Sequence, residues 1–246
     1  MFALQDEEIV VALQKGKLEV KGEFLLGSNY TFLAKVDYLG ESLDVVYKPV
    51  RGERPLWDFP PASLARREVA AYLVSEALNW RLVPPTVFRS EGPFGAGSIQ
   101  LFIQHDFEYH YFNFSTQDRL RLRPVALFDL LVNNADRKAS HIILDPDRHI
   151  WLIDHGICFH VENKLRTVVW DFAGEPIPDD LVVDLIEFRQ QLTPGNGQPS
   201  ELVNALGGYL SQAEIEALAR RADHLIAYRT FQNPELNRRP FPWPPV

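Results

Sequence analysis

The sequence predicts an α+β fold in two lobes, a β-rich N-lobe over residues 1–104 and a mainly helical C-lobe over residues 105–246. Three observations carry this reading. Segments with strand-like alternation and many β-branched or aromatic residues crowd the part before residue 105. Apolar stretches of helical character dominate from Pro124 onward. One short hairpin, HIIL-DPDR-HIWLID, interrupts them between residues 141 and 154.

Taken in order, a short helix capped by Asp6 ends around Gly16 and leads into three strands, LEVKGEFLLG, NYTFLAKVDY and LDVVYKP, the last two joined by the turn LGES. These make a small antiparallel sheet. ERPLWDFPPA is a Pro-rich loop, after which Ser63 offers an N-cap to the helix SLARREVAAYLVSEAL, whose Ala70, Leu73, Val74, Ala77 and Leu78 recur at helical spacing. VPPTVF and GSIQLFI are two further strands, and a linker runs near residues 103–118. PVALFDLLVNN is apolar enough for a buried helix. In the hairpin that follows, Asp and Pro supply the tight turn. DDLVVDLIEFRQQL and SQAEIEALARRADHLIAYR are helices, the second opened by a capping box of Ser211 with Glu214. TPGNGQPS between them is a loop, and the tail RRPFPWPPV holds too much proline for a helix or a central strand.

With 246 residues, 46% hydrophobic and 24% charged, the chain has the composition of a soluble globular protein. A chain of that size hides roughly 70–75% of its unfolded surface. A formal net charge of −8 disfavours constitutive binding to nucleic acid or to an anionic membrane. Basic patches are confined to Arg119, Arg121 and Arg123, and to Arg51, Arg54, Arg66 and Arg67. Cys158 is the single cysteine, which excludes an intrachain disulfide and suits a reducing compartment. No apolar run approaches ~18 residues and MFALQDEEIV is acidic, so the expectation is a cytoplasmic protein without stable membrane association.

Asp136, His141 and Asp154 stand at offsets of zero, five and eighteen. Phosphoryl transfer needs one carboxylate at the attacking hydroxyl and another on the cation that bridges the donor phosphates, so two aspartates must converge from different segments. The hairpin brings the neighbourhoods of His141 and Asp154 together, with Asp136 on the loop leading in. Lys48, in DVVYKPV, is the candidate cation from the sheet, and strand alternation puts it on one face with Val46. Glu68 falls away from the apolar stripe of its helix, so it reads either as a solvated residue of the first turns or as the partner that orients Lys48. Gly27 and Ser28 sit at a strand-to-strand turn whose backbone N–H groups suit a phosphate, although an ordinary hairpin turn explains them equally. Arg137 is a candidate to pin the loop through a carboxylate or carbonyl, and Lys138 to meet substrate phosphate or solvent. His141, His155 and His160 keep open a metal-dependent hydrolase in which Asp136, His141, Asp154 and His155 bind one or two metals, without support from an HExxH or paired CxxC element.

With their surroundings, these residues resemble the phosphatidylinositol 3-/4-kinase-related superfamily, nearest to the type II phosphatidylinositol 4-kinases, to bacterial persistence-toxin kinases and to a bacterial kinase-like branch. The likeness spans roughly residues 22–175. VVYKPV resembles the lysine strand, REVAAYLVSEAL the glutamate helix, GSIQLFI the approach to the hinge, NNADRKASHIIL the catalytic loop and LIDHGICF the metal-binding segment. The resemblance implies a bilobal protein-kinase-like fold with ATP as donor and Mg²⁺ or Mn²⁺ as the cation. It further implies Lys48 on the α/β-phosphates paired with Glu68, Phe102 and Ile103 at the nucleotide, Asp136 as catalytic aspartate with Arg137 beside it, and Asp154 with His141 as metal ligands. The family usually carries Asn where this chain has His141, and imidazole suits Mg²⁺ poorly, so the second metal position is altered, fitted to Mn²⁺ or absent. The expected activity is transfer of the γ-phosphoryl group to a hydroxyl of a protein or small molecule rather than a phosphoinositide. A nucleotide-binding pseudokinase and an AMP transferase are the readings that keep the same cleft.

Overall fold

A computed structural model describes residues 6–24, 30–193, 198–235 and 237–246. The first helix, α1 (Asp6–Lys15), packs on a sheet of β1 (Lys17–Phe24), β2 (Thr31–Tyr38), β3 (Glu41–Pro49), β4 (Thr86–Arg89) and β5 (Gly97–Leu101), in the order β1-β2-β3-β5-β4 and antiparallel throughout. Alternation along β3 decides where its lysine points. Leu43, Val45 and Tyr47 join Ile9, Ala12 and Leu13 of α1 in one apolar cluster, so Val46 and Lys48 face the opposite side. At Gly97, opposite Pro49 in the β3–β5 register, any Cβ would collide with the Lys48 carbonyl, so only glycine lets β5 lie against the lysine strand.

Helix α2 (Leu64–Ala77) crosses beside β4 and β5 and buries two faces, which a single apolar stripe does not anticipate. Ala70, Ala71 and Val74 enter the core of the helical half, while Arg67 and Glu68 are buried on the other side. The expected Ser63 cap is corrected. Ser63 holds the cap position, but its hydroxyl donates to the Pro60 carbonyl at 2.6 Å. The first-turn amides of Leu64 and Ala65 donate instead to the Glu53 carboxylate, at 3.2 and 2.8 Å.

The helical half consists of α3 (Thr116–Leu120), α4 (Arg123–Val132), α5 (Asp179–Gln191), α6 (Glu201–Gly207) and α7 (Gln212–Tyr228), with the hairpin β6 (Ile142–Leu144) and β7 (Ile150–Leu152) between α4 and α5. The sequence does not disclose α3, at the end of the stretch expected as linker, or α6, which begins just after Ser200; both are too short for periodicity to reveal. The Ser211–Glu214 capping box opens α7 as expected. The proline-rich tail forms no helix and threads back along the helical half: the Pro240 carbonyl accepts from the Thr167 amide at 3.0 Å, and the Pro245 carbonyl accepts from the Ala139 amide at 2.8 Å. Ile143 of the hairpin belongs to the sheet's apolar cluster, so the two halves interlock through single residues. Among the described residues no helix is long and apolar enough to cross a membrane.

Candidate active site

Three segments that are far apart in sequence meet at Lys48. Its ammonium donates to Glu68 Oε1 at 2.5 Å and to Asp154 Oδ1 at 2.9 Å. Glu68 is 3% exposed and accepts from the His155 amide at 2.8 Å through its second oxygen. It is therefore a buried ion-pair partner and not the solvated residue that helix periodicity allowed. Burial pushes the Glu68 carboxyl up and Lys48 pulls it back, so its charge depends on that contact. For Lys48, burial alone would lower the pKa, but Asp154 and Glu68 outweigh it and hold the ammonium above the ordinary lysine value.

Asp154 closes the hairpin strand in left-handed backbone geometry, φ +63°, which a non-glycine residue rarely adopts and which here aims its carboxylate at Lys48. Its side chain is 49% exposed to the cleft. The Lys48 charge holds its carboxyl far below the usual range. Gly156, two residues on, keeps the chain close to α2, since a Cβ there would meet Leu64 Cβ at 3.3 Å beside Glu68.

Asp136 lies on the loop after α4, whose end is built by two asparagines. Asn133 caps the helix in left-handed geometry, φ 55°, and its amide donates to the carbonyls of His160 and Glu162. Asn134 accepts from the Asp136 amide at 2.9 Å and donates to Asp129 at 3.1 Å. Burial raises the Asp136 carboxyl to about 6, with Lys138 opposing and Asp154 adding to the shift. A carboxylate poised there titrates close to neutrality, which is what a general base requires.

Arg137 is fully buried and does not line the cleft, which corrects the expectation that it shares the catalytic role of Asp136. Its Nε donates to both Asp129 oxygens at 3.0 and 3.2 Å, Nη1 to the carbonyls of His141 and Ile153, and Nη2 to His155 Nε2 at 2.7 Å. One guanidinium thus ties α4, the Asp136 loop and the end of β7 together. Thr167 also donates to Asp129, at 3.0 Å. Asp129 escaped sequence reasoning because it was read as part of an apolar helix; an aspartate there signals a buried partner in itself.

His141 does not present itself as a metal ligand. Nδ1 faces the Lys138 amide at 3.4 Å and Nε2 faces Asp154 Oδ2 at 3.3 Å. A ring protonated on Nε2 satisfies both contacts. Burial lowers His141 to about 4, so the ring is neutral at pH 7 and acts as a donor that orients Asp154. The hydrolase alternative loses its ligands in the same way. His155 is fully buried and accepts from Arg137, while His160 Nδ1 accepts from the Glu162 amide. Among the described residues no group of three or more His, Cys, Asp or Glu side chains is arranged to hold a metal.

These groups line one cavity of about 380 Å³, within the range usual for small-ligand sites. Lys48, Glu68, Asp136, His141 and Asp154 form its polar end; Val46, Leu101, Phe102, Ile103, Ile143 and Ile153 form an apolar slot. Phe102 and Ile103 stand at the cavity, and the Ile103 carbonyl is within 2.7 Å of His105 Nδ1. Gly27 and Ser28 lie outside the described residues.

An antiparallel sheet with a lysine strand, a helix that supplies its glutamate, and a helical half that supplies two aspartates together make a kinase-like fold. The chain aligns with a Helicobacter pylori proinflammatory kinase, CtkA, at a TM-score of 0.53 and 12% identity, over 89% of this chain and 94% of that one. It aligns with hydra Fam20, solved with sugar, at 0.52 and 13%, over 89% and 86%. At such identities the likeness is one of fold. In sequence the chain is 41% identical over 278 residues to Protein Rv2133c of Mycobacterium tuberculosis, covering 99% of this chain and 97% of that protein, and it belongs to that protein's family. Phosphatidylinositol 4-kinase gamma 4 of Oryza sativa subsp. japonica is 28% identical over 189 residues, which is 61% of this chain and only 33% of the plant protein. No family model matches the chain.

Proposed function

We propose that the protein is an ATP-dependent phosphotransferase, on a branch near the type II phosphatidylinositol 4-kinases, that moves the γ-phosphoryl group to a hydroxyl of a small molecule or protein. The observation that carries this reading is Lys48 bonded to both Glu68 and Asp154 at the polar end of a cavity that Asp136 also lines. The apolar slot suits a flat base, and the polar end suits its phosphates. Lys48 neutralises donor phosphate, Glu68 holds the ammonium in place, and Asp136 orients and deprotonates the acceptor hydroxyl.

Three carboxylates against one lysine leave the site short of positive charge for a triphosphate, so a divalent cation fits it on electrostatic grounds. Asp154, half exposed and ionised, would hold that ion, with donor phosphates and water completing its shell. Bound there, the cation would neutralise charge developing on the transferred group. With His141 acting as a donor to Asp154, the residues favour one cation over two. The direct test is mass spectrometry of protein and small-molecule products after incubation with ATP and Mg²⁺ or Mn²⁺. A gain of phosphate is expected; a gain of AMP, or no product with either metal, would reject the assignment.

A further inference from the structure

A second cavity, of about 290 Å³, opens next to the Asp136 loop, between the segment that follows the Asp154 hairpin and the start of the tail. Its wall carries Lys164, Arg166, Arg238 and Arg239 against a single acidic residue, Glu235, in a chain whose net charge is −8. Backbone hydrogen bonds fix its position. The Arg166 amide donates to the Asn134 carbonyl at 2.9 Å and the Arg166 carbonyl accepts from the Arg137 amide at 3.0 Å, so the Arg166 backbone is bonded to residues on both sides of Asp136. Its guanidinium is among the charges that act on the Asp136 carboxyl.

The four cations are not equivalent. Lys164 already meets Asp58 and Glu162, at 3.4 and 3.3 Å, and Arg238 meets Glu235 at 3.4 Å. Arg166 and Arg239 have no carboxylate at ion-pair distance among the described residues; Arg239 lies over the Trp243 ring instead. Two guanidinium forks with no carboxylate at ion-pair distance among the described residues, beside Trp170 and the amides of Asn163, Gln232 and Asn233, make a pocket for a small dianion.

We propose that this pocket takes a phosphate monoester carried by the acceptor, placing a second part of the same molecule, its hydroxyl, at Asp136. The inference rests on the phosphotransferase reading for the word acceptor, but the binding site is testable without it. Inorganic phosphate is titrated into the full chain at constant ionic strength, with and without saturating non-hydrolysable ATP analogue and Mg²⁺, and thermal midpoint is recorded. A phosphate-dependent rise that persists with the analogue and in Lys48→Met is expected. It should weaken at least ~10-fold in Arg166→Gln/Arg239→Gln, as loss of charge-assisted hydrogen bonds implies. An unchanged response to the analogue shows that this variant is folded; if that response is lost, the single variant Arg239→Gln and its rescue by Arg239→Lys decide the matter. No phosphate response in wild type, an equal response in the double variant, or binding of poly-glutamate without phosphate would overturn the proposal. Sedimentation with phosphatidylcholine vesicles containing phosphatidic acid separates the sources of the monoester: binding that the Arg variants abolish assigns it to a lipid headgroup, and absence of sedimentation with retained phosphate binding assigns it to a soluble molecule. A nucleotide response without a phosphate response rejects the pocket and leaves the phosphotransferase reading standing; the reverse rejects that reading alone.

Discussion

Asp136 is held near the middle of the accessible pH range by burial, and that single fact has two opposite consequences. Its carboxylate is the form that accepts the acceptor's proton, so kcat/KM should rise as pH increases through about 6 and fall roughly tenfold per unit below it. Because the folded-state value lies above the ordinary aspartate value of 3.8, the folded protein binds this proton more tightly than the unfolded chain. The associated stability is complete at low pH and is lost as pH rises through about 6. Asp136→Asn should therefore abolish the acid limb and most turnover, yet raise the unfolding free energy at pH 8 by an amount on the order of 1–3 kcal/mol, read as a higher thermal midpoint without nucleotide or metal. A destabilised Asp136→Asn protein would show that the carboxylate is held by favourable contacts instead.

At the scale of elements, the Asp136 loop is kept in place by one buried network. Asp129 and Arg137 are each fully buried and paired, so removing either partner strands a charge in the interior. Arg137→Ala should cost about 3–5 kcal/mol in denaturant unfolding, and an Asp129→Ala/Arg137→Ala double variant should cost less than the two single losses added together. Additive losses would mean that the pair does not act as a unit. The strands, the long helices and the Asp136–Asp154 spacing were legible because each rests on local periodicity or on a tight turn. Glu68 was ambiguous because the wheel assumes one buried face, whereas α2 is enclosed on two. The Glu53 cap was illegible, since it reaches α2 from a loop more than ten residues upstream and Ser63 offered the simpler local answer. The sequence put His141 beside Asp154 but could not show that its Nε2 meets the Asp154 carboxylate directly, because a sequence gives no side-chain orientation.

For the whole molecule, the sheet and the helical half share one cavity, and the charges facing into it come from both. Lys48 enters from β3 and Asp154 from the end of the hairpin, so a ligand that bridges them should lock the halves together. Nucleotide with Mg²⁺ or Mn²⁺ at ~100 times its dissociation constant should stabilise the fold by about 2.7 kcal/mol, read as a thermal shift, and should give much less without the metal. Equal shifts with and without metal would remove the case for a cation on Asp154.

The most direct test of the shared cavity is the release or transfer of the γ-phosphoryl group of ATP by wild type and by Lys48→Met, with the thermal midpoint of each recorded as a check on folding. Loss of at least ~10²-fold in turnover by a folded Lys48→Met protein is predicted, as removal of a preorganised charge from a reacting group implies. Undiminished turnover in that variant would contradict the account.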